Sequence, residues 1–291
     1  MKIFYNKVFL SHNTAEQVAE GPYRIRDFSG HFPDTDFNGE EYIKLIHDLD
    51  YQNYIRESCI AGGYLAEVAV TRESYEAACL AVGCSIVASE QSGFAVVRPP
   101  GHHAKRNRAD GFCLFNNLAI ASMKHVQEGK KVFILDIDGH HGDGTQSIFY
   151  ESDRVFFCSI HQEYAYPWTG HTYETGEKKG KGFTLNFPLP PGSGDKELLD
   201  SVDKAIEKAM KFKPDMVGVS AGFDGYEKDR LLNLNYTLNG YRECGFRLGK
   251  AFSNVFAVLE GGYHNDIKEC VDSLREGIMK GWENTSSSDP Q

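Results

Sequence analysis

Five short runs of strand-forming apolar residues alternate along this chain with segments of helical period, and each run leads straight into polar residues. The runs cover residues 94–97, 132–137, 155–160, 216–219 and 255–259. They are apolar throughout rather than at every second position, the pattern of parallel strands covered on both faces. Residues 1–5, Met-Lys-Ile-Phe-Tyr, read as a further strand. The clearest helix places Leu198, Leu199, Val202, Ala205, Ile206, Ala209 and Met210 in one stripe, with Asp195 positioned to cap its start and Pro214 past its end. Others are expected over residues 74–89, 117–127, 239–252 and 266–280. This alternation predicts an α/β fold, a single domain of three α/β/α layers around a mostly parallel central sheet.

A chain of 291 residues could hold one large domain or two ordinary ones. No internal repeat and no linker divides it, so one domain over residues 1–283 is expected, with a disordered tail at 284–291. No apolar run approaches the roughly 18 residues of a membrane span. The start also lacks the long apolar stretch of a secretory leader. Seven cysteines without CxxC spacing argue against a disulfide framework and for a reducing, cytoplasmic compartment. A formal charge of −10 disfavours nucleic acid as a direct ligand. That charge suits a cationic substrate or, more simply, solubility. Residues 161–182 carry Gly, Tyr and charge without a period, and loops of that length inside a compact domain are often functional. Within them, Lys178, Lys179 and Lys181 read as a solvated loop face.

The chemistry concentrates in Leu135 to Thr145, LDIDGHHGDGT, where three aspartates and two histidines close one apolar run. Polar groups that dense beside a core are costly unless a metal or a hydrogen-bond network engages them. Asp138 and His140 stand two apart, so in extended backbone they would point the same way. Asp224, just after another predicted strand, is the best third ligand. Three protein ligands with a position left for water describe a catalytic metal rather than a structural one. The His102-His103 pair follows the rigid turn Arg98-Pro99-Pro100-Gly101, and Asp136 and Asp143 are placed to orient one histidine each. Gly261-Gly262 brings the backbone close to a ligand and presents Tyr263, whose phenol could donate to a developing oxyanion. Four segments thus deliver polar groups to the carboxyl ends of strands, where ligands bind in open α/β sheets.

Taken together these motifs resemble the zinc-dependent histone deacetylase family of the arginase–deacetylase fold. The matching pieces are Arg98-Pro99-Pro100-Gly101-His102-His103, Gly111-Phe112-Cys113-Leu114-Phe115-Asn116-Asn117, the Asp136 to Gly144 segment, Ser220-Ala221-Gly222-Phe223-Asp224 and Glu260-Gly261-Gly262-Tyr263. The resemblance implies zinc held by Asp138, His140 and Asp224, with ferrous iron an open alternative. It implies that metal and Tyr263 polarise an acyl carbonyl while a metal-activated water attacks. His103 would serve as base and then acid, with Asp143 behind it. His102, with Asp136 behind it, would be an electrostatic partner. Gly111, Phe112 and Tyr166 would line a narrow tunnel, Phe112 and Tyr166 as opposite walls, with Leu231 near its mouth. Potassium is implied at Asp136, Asp138, His140 and Ser159, and at a second site at Phe149, Ser152 and Val155. His141 is expected to pack and hydrogen-bond.

The implied activity is removal of acetyl or other acyl groups from lysine side chains of a protein or peptide, or from similar small acylated amines. The alternatives are an acetylpolyamine deacetylase and a non-catalytic acyl-lysine binding module. A dinuclear arginase-like site would need further aspartates where Gly139 and Gly142 stand. Three departures from the family pattern stand out. The Gly-His-Pro-Glu motif is absent near the start, with only His12 and Gly30-His31-Phe32-Pro33 as echoes, so rim loops are expected to differ. Gly139 replaces a larger residue, which is expected to loosen the metal wall. Leu231 replaces an acidic gatekeeper found in polyamine-selective relatives, which leans against polyamines.

Overall fold

The computed structural model describes residues 1–15 and 18–286. Seven parallel strands form the central sheet: β1 (Ile3–Phe4), β4 (Phe94–Ala95), β5 (Val132–Asp136), β6 (Val155–Gln162), β7 (Thr184–Leu189), β8 (Met216–Ala221) and β9 (Val255–Leu259). Their order across the sheet is β1-β4-β9-β8-β5-β6-β7. Every residue of β5, β6, β8 and β9 is buried, which accounts for their unbroken apolar character.

The strand at 184–189 was not anticipated. It mixes buried and half-buried positions and carries Pro188, which suits its place at the sheet edge. Residues 63–65 (β2) and 68–70 (β3) pair as a separate antiparallel hairpin.

Helices cover both faces. The α2 helix (Arg72–Glu90) and α3 (Asn117–Gln127) pack against β4, β5, β8 and β9, with α1 (Leu49–Ala61) outside α2. On the other face lie α5 (Asp195–Phe212), α6 (Leu238–Ala251) and α7 (Ile267–Ser286). The seam between α6 and α7 is built from Gly245 and Gly249 on one helix and Gly277 and Gly281 on the other. A Cβ at any of them would run into backbone of the facing helix, so the two axes approach as closely as main chains allow. The short α4 (Asp143–Phe149) opens inside the polar segment after β5.

Two expectations need correction here. The cap of α5 is Gly194, not Asp195. Glu197 accepts from the Gly194 N–H at 2.9 Å, while Asp195 reaches across to Thr237, accepting from its N–H at 2.7 Å and its hydroxyl at 2.6 Å. Residues 284–286, expected to begin the tail, continue α7, and 287–291 lie outside the described residues.

Chain winding reverses between β5 and β8. From β5 the chain moves outward through β6 to β7, then returns to β8 on the other side of β5 and continues to β9. Such a topological switch point leaves a crevice at the carboxyl ends of the two diverging strands. Among the described residues, no helix is long and apolar enough to cross a membrane.

Candidate active site

The crevice between β5 and β8 is where Asp138, His140 and Asp224 meet. One ligand atom from each lies within 4.8 Å of the others. Asp138 and His140 do not lie in the strand, as alternation along extended backbone had suggested; β5 ends at Asp136 and the chain bends over residues 138–140. Backbone hydrogen bonds hold the bend. Gly139 N–H donates to Asp224 Oδ1 at 2.5 Å, His140 N–H to Asp138 Oδ1 at 2.9 Å, and Gly261 N–H to Asp138 Oδ2 at 2.7 Å. Gly139 does not loosen the wall either. A Cβ there would overlap Leu232, so that side chain already fills the place of a larger residue.

The donor set fits a divalent cation. Asp138 and Asp224 are both buried, and burying two neighbouring carboxylates is costly without positive charge between them. Burial and the Asp138 charge raise the Asp224 pKa, while the nearby histidines hold Asp138 ionised. His140 lies against both, its Nδ1 2.6 Å from Asp224 Oδ2 and 3.4 Å from Asp138 Oδ1. Two carboxylates and one imidazole are hard-to-borderline ligands that suit zinc or ferrous iron.

Beside this cluster stand two histidine–carboxylate pairs. His102 Nδ1 is 3.1 Å from Asp136 Oδ2, and His103 Nδ1 is 2.8 Å from Asp143 Oδ1. Their environments push the two rings apart. Burial opposes charge on His102, but Asp138 and Asp136 override it and raise its pKa well above the ordinary value. Burial and the adjacent His102 hold His103 down, to about 4, against the pull of Asp143. The surroundings thus bias the two rings in opposite senses, His102 toward the charged form and His103 toward the neutral one. Asp143 stays ionised, its pKa about 2: burial opposes this, but His103 and Lys105, whose Nζ is 2.7 Å from Oδ2, outweigh it.

Half-buried side chains lead from the surface toward His140. Tyr166 packs edge-on to His103 with ring centroids 5.1 Å apart and to His140 at 6.3 Å. Phe112 packs edge-on to Tyr263 at 5.9 Å. Burial keeps the Tyr263 phenol protonated and thus a donor. Leu231 is 48% exposed; it is linked to Tyr263 through Asp229, which accepts from the Leu231 and Tyr263 N–H groups.

The remaining candidates spread farther out. Ser159 pairs in register with Asp136, and its hydroxyl bonds His161 Nδ1 at 2.9 Å. Phe149, Ser152 and Val155 lie in the turn from the far end of α4 into β6, away from the crevice. His141 is buried between Thr169 and Gln146, as packing and hydrogen bonding had suggested.

Two groups essential to this geometry were given no role from the sequence: Glu20, and Glu260 of the Glu260-Gly261-Gly262-Tyr263 motif. Glu20 is fully buried and receives Arg98 at 2.5 and 2.7 Å and Arg24 at 3.0 Å. Arg24 also donates to the carbonyls of Glu260 and Gly262, and its guanidinium lies 5.0 Å above the Tyr263 ring. His12 is buried beside Glu20, its Nε2 3.7 Å from Oε2, whereas His31 is exposed. Glu260 accepts from the Gly101 and His102 N–H groups at 2.7 and 3.1 Å and so seats the histidine turn. Its place directly before Gly261-Gly262 was the one available sign.

The description "Histone deacetylase domain" matches residues 21–278. A protein of Archaeoglobus fulgidus named "Probable deacetylase" is 39% identical over 239 residues, covering 77% of this chain and 66% of its own length. Acetylpolyamine amidohydrolase 1 of Pseudomonas aeruginosa is 32% identical over 293 residues, covering 94% of this chain and 79% of its own. Among solved structures, the crystal structure of the HDA15 HD domain superposes with a TM-score of 0.88 at 29% identity, over 98% of this chain and 94% of that one. The three-layer architecture is accordingly of the arginase–deacetylase type. With that domain matched across most of its length, the chain belongs to the histone deacetylase family.

Proposed function

We propose that this protein is a metal-dependent amidohydrolase that removes acetyl or other acyl groups from lysine side chains or similar acylated amines. The observation that carries the reading is the meeting of three metal-fitting ligands with two histidine–carboxylate pairs, beside Tyr166 packed on His103 and His140. Asp138, His140 and Asp224 would hold zinc or ferrous iron. When bound, that ion supplies Lewis-acid polarisation of the amide carbonyl and lowers the pKa of water.

The chain's own groups divide the remaining work. His103 donates through Nδ1 to Asp143, which leaves Nε2 free to take a proton from the attacking water. The same nitrogen then passes a proton to the departing amine. His102, drawn toward the charged form by Asp138 and Asp136, would contribute positive potential where negative charge develops. Tyr263 donates a hydrogen bond to the carbonyl oxygen, an interaction that strengthens as that oxygen becomes an oxyanion. Phe112 and Tyr166 form the walls that hold an uncharged acylated stem and exclude water. The domain is assigned from residue 1 through the end of α7 at Ser286. Potassium at Asp136, Asp138, His140 and Ser159, and a second potassium at Phe149, Ser152 and Val155, would offset the local negative charge. Seven buried free cysteines support a reducing, cytoplasmic setting.

Two substrate classes remain in play. Similarity to the Pseudomonas acetylpolyamine amidohydrolase favours a small acetylated amine, while hydrophobic Leu231 at the rim favours acyl-lysine peptides. Acetate release from an acetyl-lysine peptide and from acetylputrescine, measured side by side, separates them. Release from neither, in protein carrying its metal, would overturn deacetylation and point to longer acyl chains first, and then to acyl-lysine binding without turnover.

A further inference from the structure

We propose that Asp110 is a clamp across the substrate slot, a positioning residue that ties the two walls together and restricts the enzyme to slender, unbranched stems. The inference rests on the function proposed above. Asp110 stands immediately before Gly111 and Phe112, both in the left-handed region with φ of +50° and +69°. A Cβ at Gly111 would strike the His103 ring, so this turn is pressed directly against the histidine pair. Phe112 has no such excuse for its conformation and must be held there.

Three backbone hydrogen bonds do so. Asp110 and Cys113 exchange both of theirs, at 3.2 and 2.9 Å, and the Phe112 N–H donates to the Ala66 carbonyl at 2.9 Å. Ala66 and Glu67 form the two-residue turn of the β2–β3 hairpin, both at positive φ. One wall of the slot is therefore a pair of interlocked tight turns.

The other wall has much less support of its own. Tyr166 sits in the irregular stretch after β6, flanked by Tyr164 at 82% and Trp168 at 69% exposure. Its phenol donates to Asp110 Oδ1 at 2.7 Å, across 56 residues of sequence. The second carboxylate oxygen of Asp110 receives Arg108 at 2.9 Å. One partly buried carboxylate thus joins the turn that presents Phe112 to the ring that packs on His103. Phenol–carboxylate hydrogen bonds are short and charge-assisted, which makes this the strongest single tie between the walls. Removing it should let Tyr166 swing away from His103 and widen the slot, with every metal ligand and both histidines still in place.

The test compares Asp110→Ala, Asp110→Asn and Tyr166→Phe in the metal-loaded protein. Two readouts are used. The first is the ratio of kcat/KM for an acetyl-lysine peptide to that for the same peptide carrying acetylated 4-aminophenylalanine, whose stem is thick. The second is hydrogen exchange over residues 163–170. Asp110→Ala and Tyr166→Phe should each lower the ratio by about tenfold, the double variant no further, and exchange should accelerate. Asp110→Asn keeps an acceptor oxygen and should restore both readouts toward wild type. Unchanged ratio and exchange in Asp110→Ala, or an Asn variant as altered as the Ala variant, would overturn the clamp. If wild type cleaves neither peptide, the proposed function fails, and the exchange pattern alone still decides the clamp.

Discussion

Replacing Asp143 by Asn changes one atom and should disable the base. In the wild-type arrangement the carboxylate accepts twice, from His103 Nδ1 at 2.8 Å and from Lys105 Nζ at 2.7 Å. An amide has only one acceptor oxygen. With that oxygen toward Lys105, the NH2 group faces His103 Nδ1 and favours the tautomer in which Nε2 carries the proton, so the base is lost. With the oxygen toward His103, the NH2 group faces an ammonium, and a charge-assisted bond of roughly 1.5–3 kcal/mol is given up. The first orientation keeps the stronger bond and should dominate. Restoring the active tautomer then means giving up that bond, which corresponds to roughly a tenfold to hundredfold population penalty. Loss of the negative charge that stabilises the imidazolium formed during proton transfer adds to this. A fall in kcat of about 10²–10⁴ is expected, in line with the loss when the carboxylate behind a catalytic histidine is neutralised elsewhere. KM and bound metal should stay near wild type, because Asp143 touches neither the slot nor Asp138, His140 or Asp224. Steady-state kinetics with elemental analysis of the purified protein measures all three quantities. A kcat within threefold of wild type would refute the assignment of His103 as the base.

Tyr263→Phe should retain metal and lower kcat by about 10²–10³, the usual loss for one oxyanion donor; a variant with wild-type turnover would remove the phenol from the mechanism. Glu20→Gln should destabilise the fold by roughly 3–5 kcal/mol in urea unfolding, since it leaves Arg98 and Arg24 buried without their carboxylate. An unchanged unfolding midpoint would count against that network as a structural anchor. Acid should weaken the protein through its buried neutral histidines. Burial depresses His12, His47 and His141 to about 4 each, below the roughly 6.5 of an unfolded chain. The unfolded state then binds more protons between those values, so stability is complete above pH 6.5 and declines as pH falls toward 4. Each histidine contributes a slope of up to about 1.4 kcal/mol per pH unit, and a flat stability profile over that window would show them solvated.

Much of the site was legible in the sequence because parallel strands leave little room for ambiguity. Residues 132–136 and 255–259 are buried on both faces, so their runs are apolar without interruption, and the polar residues that follow must emerge at one end of the sheet. Motif spacing then brought Asp138, His140, Asp224, His102 and His103 together before any coordinates did. What escaped were features whose cause is tertiary. Helix α1 was missed because Leu49, Tyr54 and Ile60 are exposed, which blurs its stripe. The seven residues of α4 are too few to show a period. Glu20 and Arg98 are 78 positions apart, and no local pattern marks a carboxylate that will be buried under two guanidinium groups. Asp110 was passed over for a similar reason, since its partner Tyr166 lies on a loop without periodicity. The wall attributed to Gly139 failed differently: an absent side chain says nothing about which neighbour, here Leu232, will occupy its place.

The proposed activity depends on the metal assignment. The decisive measurement is acetate release from an acetyl-lysine peptide as zinc is added back to stripped protein, run beside Asp224→Ala. Activity should rise to a plateau at one equivalent of zinc in the wild type, while the variant neither binds the ion tightly nor gains activity. Full turnover in the stripped protein, or an Asp224→Ala variant that binds and works like wild type, would contradict it.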